Sequence, residues 1–435
     1  MTELSTQPYK GTRDFYPEDM YIRQHIFDMW SRVMRRYGYE AYDAPLLEPI
    51  EVYAAKSGQE LVNDQTYRFI DRGGREVAIR PEMTPSISRM VAARRKEMPF
   101  PARLYSIAPF MRYERPQRGR EREFWQLNAD IFGDDSNMAE LEILSLSRDI
   151  MEGFGATPDM YEIRINHRGL IDAMMRDYLA LNDEQAYAMV KLFDRKDKLS
   201  REDFSVQLGE IAGERAEEIA PKVDRILDAK TLDALPDEIR RSPHFQSLNE
   251  LISKSTAIGV KSLRFDPTLM RGLDYYTGTV FEVFDLHPDN NRALFGGGRY
   301  DGLVGLFGAE PLSAVGFAPG YSMMELFLRV HNLLPESHST TDLMLIAMSG
   351  YEVGAADFAR KLRMDPNWLN VELDTTGRKI EKALKAADRK GIRFTAVYGE
   401  RESNGGHLQL KDLVAGKNFD VTIDDIRTII TQLSK

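Results

Sequence analysis

No cysteine occurs among the 435 residues of this chain. Disulfides, thiolate metal sites and a thiol nucleophile are thereby excluded. Histidine is sparse too, seven in all, and no two stand at the His-x-x-x-His or similar spacing of a ligand pair. No apolar run reaches the roughly 18 residues of a membrane span. Met1–Lys10 is too polar for a secretory leader. These absences point to a soluble, cytoplasmic protein without a membrane partner. Acid exceeds base, for a formal charge of −10. That disfavours a protein that coats DNA or RNA non-specifically, and leaves room for a specific RNA partner met by local basic clusters. What is abundant is core material: hydrophobic residues make up 43% of the chain, enough for a sizeable core and more than one domain.

Helical periodicity runs from Met20 to Tyr37, with Ile22, Ile26, Phe27, Trp30 and Val33 on one side and Gly38 at the expected stop. An extended segment interrupted by Pro45 and Pro49 follows, and reads as an edge or an interface. Residues 67–80 predict a hairpin turning at Gly73-Gly74, and Thr84–Arg95 a helix. Residues 168–258 are helical and charge-rich, with breaks expected at Pro221, Pro236 and Pro243; they read as an inserted helical subdomain. Strand character returns at Val260–Phe265 and Thr277–Phe284. Gly296-Gly297-Gly298 then permits close backbone approach. It fits neither a GxGxxG fingerprint nor a Walker-type loop, which argues against Rossmann and P-loop nucleotide binding. Residues 331–341 suit a linker after a domain spanning 1–330, and 342–435 alternate strands and helices as a second, α/β domain.

Chemistry concentrates in two strand-like runs, Leu104–Arg115 and Phe124–Phe132, joined by the charged stretch Pro116–Glu123. They predict an antiparallel hairpin with a long basic loop. Side chains alternate faces along a strand. Arg112 and Glu114 therefore share one face, and Gln126, Asn128 and Asp130 share one on the partner; Trp125, Leu127, Ala129 and Ile131 form the core side. A half-solvated sheet explains one polar row well enough. Two facing rows of arginine, amide and carboxylate favour a binding site.

Three segments carry a family resemblance. Lys10-Gly11-Thr12-Arg13-Asp14 resembles the opening of histidyl-tRNA synthetases, Met111–Gln126 their class II motif 2, and Arg271–Glu282 their histidine-specific signature. The resemblance spans nearly the whole chain. It implies an α+β catalytic domain built on a six-stranded antiparallel sheet with flanking helices, the helical insertion at about 168–258, and an anticodon-binding domain over 342–435. The region around Pro45 resembles motif 1, which implies a homodimer. The implied activity is that of a histidine-tRNA ligase, with L-histidine, ATP and tRNA(His) as substrates and Mg²⁺ as the nucleotide's cation, without a metal cage of protein groups alone.

Activation of histidine concentrates negative charge on the α-phosphate, which calls for fixed cations. By resemblance, Arg112 and Arg271 flank that phosphate as the catalytic pair and also touch histidine. Glu114 accepts from the adenine amino group, and Arg120 closes over the distal phosphates. Glu82, Thr84 and Gln126 hold the α-ammonium and carboxylate. Asp130 takes the imidazole N–H, Tyr276 serves the other ring nitrogen, and Tyr275 walls the pocket. Gln117 and Arg118 approach the tRNA acceptor end. One departure stands out: where motif 3 carries an arginine, this chain has Met323. Two non-catalytic readings compete, a tRNA-binding sensor and a regulatory subunit of ATP phosphoribosyltransferase, both built on the same fold.

Overall fold

In the computed structural model, which describes residues 4–54, 64–270, 275–290, 292–336, 339–364, 368–405, 407–422 and 425–433, the chain forms two compact units, Met1–Pro335 and Glu336–Lys435. In the first, strands β1 (Glu40–Ala41), β2 (Leu47–Pro49), β3 (Arg68–Ile70), β4 (Glu76–Ile79), β5 (Ala102–Met111), β6 (Glu123–Phe132), β7 (Tyr161–His167), β8 (Leu263–Phe265), β9 (Thr279–Asp285), β10 (Ala293–Arg299) and β11 (Ala314–Phe317) make two sheets. The larger has the order β1-β5-β6-β11-β10-β9-β7-β8. Its six inner strands run antiparallel, and the short edge strands β1 and β8 pair parallel to β5 and β7. The expected six-stranded sheet is thus the centre of an eight-stranded one. Both added strands are of three residues or fewer, too short for any alternation to show in the sequence.

One face of this sheet is closed by helices. Helix Pro17–Arg36 buries Ile26, Trp30, Val33 and Met34, and helix Asn137–Gly153 buries Ile143, Leu144, Leu146 and Ile150. They pack with Leu127, Ala129 and Ile131 of β6 in one large core, the row the alternation marks as the core side. Polar residues of β6 face the other way.

Local chemistry explains the remaining elements. Asp71 accepts from the backbone of Gly73 and Arg75, which fixes the β3–β4 hairpin. Glu51–Ala54, inside a stretch expected to be extended, is a short helix. The first strand of the long hairpin stops at Met111 rather than Arg115. Beyond it the backbone of Tyr113 donates to Gln65 and that of Arg112 to Arg122, so Arg112 and Glu114 do not share a strand face. Pro221 does not break its helix, Ala216–Leu227; Pro236 and Pro243 do stand at helix starts, where a missing N–H costs nothing. Among the described residues no helix is long and apolar enough to cross a membrane.

The second unit has its own sheet of β12 (Leu343–Ala347), β13 (Val371–Asp374), β14 (Phe394–Tyr398), β15 (His407–Asp412) and β16 (Lys417–Thr422), in the order β13-β12-β14-β15-β16. The first three are parallel and the last two antiparallel. Its core of Leu343, Leu345, Phe394, Leu408 and Ile426 is what a mixed sheet with helices requires.

A buried ion pair locks β10 to the helix layer. Arg299 bonds Glu140 through two nitrogens, each at 2.5 Å, and donates to the carbonyls of Asp134 and Ser136. Removing Arg299 leaves the Glu140 charge buried without this partner. Arg299→Met should cost about 3–5 kcal/mol in urea denaturation, and adding Glu140→Leu should return much of that loss.

Candidate active site

On the open face of the large sheet lies a cavity of about 370 Å³. Gly296 and Gly297 of β10 line its floor, and three glycines of β10 and β11 stand where a side chain would not fit. A methyl group on Gly296 would stand 2.7 Å from the Phe281 carbonyl, one on Gly298 2.5 Å from that of Thr279, and one on Gly316 2.0 Å from Asp130 Oδ1. Glu282, Tyr276 and Asp130 lie across these gaps.

Segments far apart in sequence supply the walls. Glu82 and Thr84 come from the start of helix Thr84–Ala93, Arg112, Glu114 and Arg120 from the β5–β6 loop, Gln126 and Asn128 from β6, and Tyr275 and Tyr276 from the approach to β9. Arg112 is held by its Nε bond to the Pro81 carbonyl, 2.9 Å, and lies over the Phe124 ring. Glu114 stands between two guanidinium groups, 4.0 Å from Arg112 and 3.6 Å from Arg120. Gln126 donates to the Ala318 carbonyl at 3.2 Å.

Deeper still, Asp130 is only 4% exposed and accepts from the Tyr300 hydroxyl. Burial pushes its carboxyl up to about 7, and the Tyr300 hydrogen bond offsets only part of that. The rings of Tyr275 and Tyr276 pack at 4.7 Å, with Tyr300 edge-on to Tyr275. At the opposite end, Ser322 donates to Glu121 at 2.9 Å, and burial raises the Glu121 carboxyl above its usual range.

The model of the family "Histidyl-tRNA synthetase" matches residues 11–323, and that of "Anticodon binding domain" residues 343–433. A Leptospira biflexa protein named histidine–tRNA ligase is 40% identical over 438 residues, covering 100% of this chain and 99% of the relative. One of the same name from Halobacterium salinarum is 36% identical, covering 95% of each.

This chain belongs to the histidyl-tRNA synthetase family.

Solved structures share its fold. A histidyl-tRNA synthetase from a Nostoc species superposes with a TM-score of 0.79 at 22% identity, covering 99% of this chain and 100% of that one. An ATP phosphoribosyltransferase regulatory subunit/histidyl-tRNA synthetase from Bacillus halodurans gives 0.76 at 22% identity, covering 92% and 100%.

The cavity brings together Glu82, Thr84, Arg112, Glu114, Arg120, Gln126, Tyr275 and Tyr276, all singled out from the synthetase motifs. Asp130 is not among the lining residues and is bonded to Tyr300. Arg271 lies outside the described residues. Gln117 and Arg118 are not in the cavity: Arg118 extends to the Asp289 carbonyl at 3.4 Å. Arg122 turns away to the Tyr9 hydroxyl and the Tyr113 ring. Met323 does line the cavity, packed so closely on Gly119 of the loop that a methyl there would meet its sulfur at 2.4 Å. Met83, beside Glu82, points into a separate apolar cluster with Ala108 and Phe110.

Sequence reasoning missed Tyr300 and Glu121. Tyr300 follows the triple glycine by two residues, but nothing in that spacing shows it reaching Asp130. The opening Lys10–Asp14 motif also gains a role. The Gly11 carbonyl accepts from the Arg122 backbone at 2.6 Å, and Arg13 bridges Asp19 and Glu325 at 2.8 and 2.7 Å. It straps the β5–β6 loop and helix Tyr321–Val330 to the N-terminal segment.

The raised Asp130 carboxyl has a measurable consequence. Between about pH 4, where an unfolded aspartate ionises, and about pH 7, the unfolded chain loses this proton while the folded one keeps it, so folding weakens as pH rises. Asp130→Asn removes that loss. Its stability relative to the parent should rise by roughly 1.4 kcal/mol per pH unit across that window and level off above it, as read by urea denaturation at several pH values.

Proposed function

We propose that the chain is a histidine–tRNA ligase that makes histidyl-adenylate from L-histidine and ATP and passes histidine to the 3′ end of tRNA(His). One observation carries the reading: guanidinium, carboxylate, amide and phenol groups of Glu82, of the Met111–Gln126 segment and of the Arg271–Glu282 segment converge on one cavity of the open sheet face. In the first step a histidine carboxylate oxygen bonds to the α-phosphorus and the bond to pyrophosphate breaks. Arg112, whose fork stays charged and matches phosphate oxygens, faces the α-phosphate, with Arg271 as its partner. Glu114 takes the adenine amino group. Glu82, Thr84 and Gln126 hold the amino-acid end, and Asp130 the ring N–H. In the second step the terminal ribose hydroxyl of tRNA attacks the carbonyl carbon and AMP leaves.

Among the described residues no group of three or more carboxylate or imidazole side chains could hold a metal, so Mg²⁺ would arrive on the phosphates of ATP, where it supplies charge neutralisation for the leaving pyrophosphate. Met323 removes one cation from that end. A charge-assisted contact is worth about 1.5–3 kcal/mol, or about 10- to 150-fold in rate, a small part of such an enzyme's acceleration. Arg120, already turned to the cavity, and the N-terminus of helix Tyr321–Val330 offer compensation. The second unit, by its family match, is the anticodon reader. Exposed Leu47, Phe69 and Ile70 on the β2-β4-β3 sheet suit the homodimer contact.

Purified protein should exchange labelled pyrophosphate into ATP only when histidine is present, and Arg112→Ala should lower that rate by about 100- to 1000-fold. No exchange, together with no ATP binding, would favour the tRNA-sensor or regulatory-subunit readings. A chain ending at Pro335 should keep the exchange reaction and lose most tRNA charging. Undiminished charging by that chain would remove the anticodon role from the second unit.

A further inference from the structure

The loop between β5 and β6 folds back in a tight turn. Gln117 and Arg120 exchange backbone hydrogen bonds of 3.0 and 2.9 Å, and Gly119 at the tip takes a φ of 76°, a conformation that suits glycine. The tip does not stand free. A methyl group on Gly119 would lie 2.4 Å from the Met323 sulfur and 3.7 Å from Leu326 Cδ2. The bare backbone therefore rests on an i, i+3 apolar pair of helix Tyr321–Val330. Polar contacts flank it: Ser322 donates to Glu121 at 2.9 Å, and Arg292 donates to the Arg118 carbonyl at 3.1 Å.

Arg120 is the next residue. It lines the cavity and stands 3.6 Å from Glu114, yet its side chain is 58% exposed. A long side chain that wet is poorly fixed by its own contacts. What places it is the turn: with its N–H and carbonyl both tied to Gln117, Arg120 goes where the tip goes. Met323 stands in the first turn of the helix, where the synthetase motif carries an arginine. A guanidinium laid on Gly119 and Leu326 would leave most of its five donors unpaired, and a cation at a helix N-terminus is disfavoured unless an anion joins it. The unbranched thioether of methionine fills such an irregular gap.

We propose that Met323, with Ser322, is the dock of the β5–β6 loop and so a positioning residue for Arg120, holding that guanidinium at the cavity before a ligand arrives. The use made of Arg120 rests on the cavity being the ATP site; the docking does not. The residue that replaces the motif arginine thus acts through another arginine.

Trypsin cuts after arginine, and cutting within a folded protein follows the population of the opened segment. Digestion of the free full chain, with cut sites mapped by mass spectrometry, therefore reads the dock without any substrate. Met323→Ala should speed cutting after Arg118 and Arg120 about 5-fold or more, and leave sites in the helical insertion within about twofold of the parent. Met323→Leu, which restores the bulk, should return the loop to near the parent rate. In histidine-dependent pyrophosphate exchange, Met323→Ala should raise the KM for ATP about 5-fold or more and that for histidine by less than about twofold, and Met323→Leu should reverse most of the rise. Met323→Arg should loosen the loop as Met323→Ala does and bind ATP no better than the parent. Parent-like loop cutting in Met323→Ala, faster cutting spread evenly over the chain, or a Met323→Arg chain with a firmly held loop and a lower KM for ATP would each overturn the proposal. Faster loop cutting with an unchanged KM for ATP would overturn the positioning of Arg120. Parent protein without histidine-dependent exchange would instead sink the ligase reading, and the use made of Arg120 with it.

Discussion

A sheet with a helix layer on one side must still dispose of its other side. Here the inner face is closed by Trp30, Leu127, Ile131 and their neighbours, and the outer face would be an ordinary solvated surface if each strand position carried a side chain. Gly296, Gly298 and Gly316 prevent that. Gly296 and Gly297 line the depression, and the strands that carry these glycines are paired on both sides. Glu82, Thr84, Arg112, Glu114, Arg120, Gln126, Tyr275 and Tyr276 all line that depression. A rigid floor on strands also fixes the spacing of Gln126, Asn128 and Asp130 more tightly than loops would.

Charge in the cavity is arranged against its own stability. Glu82, Glu114, Glu121 and Glu282 line it with Arg112 and Arg120, while Asp130 is sunk among tyrosines. Burial raises both the Asp130 and Glu121 carboxyls. Such groups destabilise the free protein and become useful only when a ligand brings complementary donors or cations, the usual tension between a working site and a stable fold.

Much of this was legible in the sequence, for physical reasons. Long amphipathic helices such as Pro17–Arg36 and the alternation of Phe124–Phe132 declare themselves by period, and the synthetase motifs name eight of the residues that line the cavity. What could not be read depends on contacts rather than pattern. The strands Glu40–Ala41 and Leu263–Phe265 are too short to alternate. Arg112 leaves its expected strand because the backbone after Met111 finds partners in Gln65 and Arg122. Arg118 and Arg122 look equivalent to Arg120 in a basic loop, yet one turns to Asp289 and the other stacks on Tyr113.

The strap from Arg13 to Glu325 spans 312 positions of sequence. A ribosome adding about 5–20 residues per second needs roughly 15–60 s to travel that distance, and throughout that interval Arg13 has Asp19 within reach while Glu325 is not yet made. The β5–β6 hairpin, whose loop the same segment secures, is finished long before. The nascent chain therefore has the N-terminal partners of that loop, Tyr9 and the Gly11 carbonyl, from the start, whereas helix Tyr321–Val330 joins the strap only when translation of the first unit is nearly done.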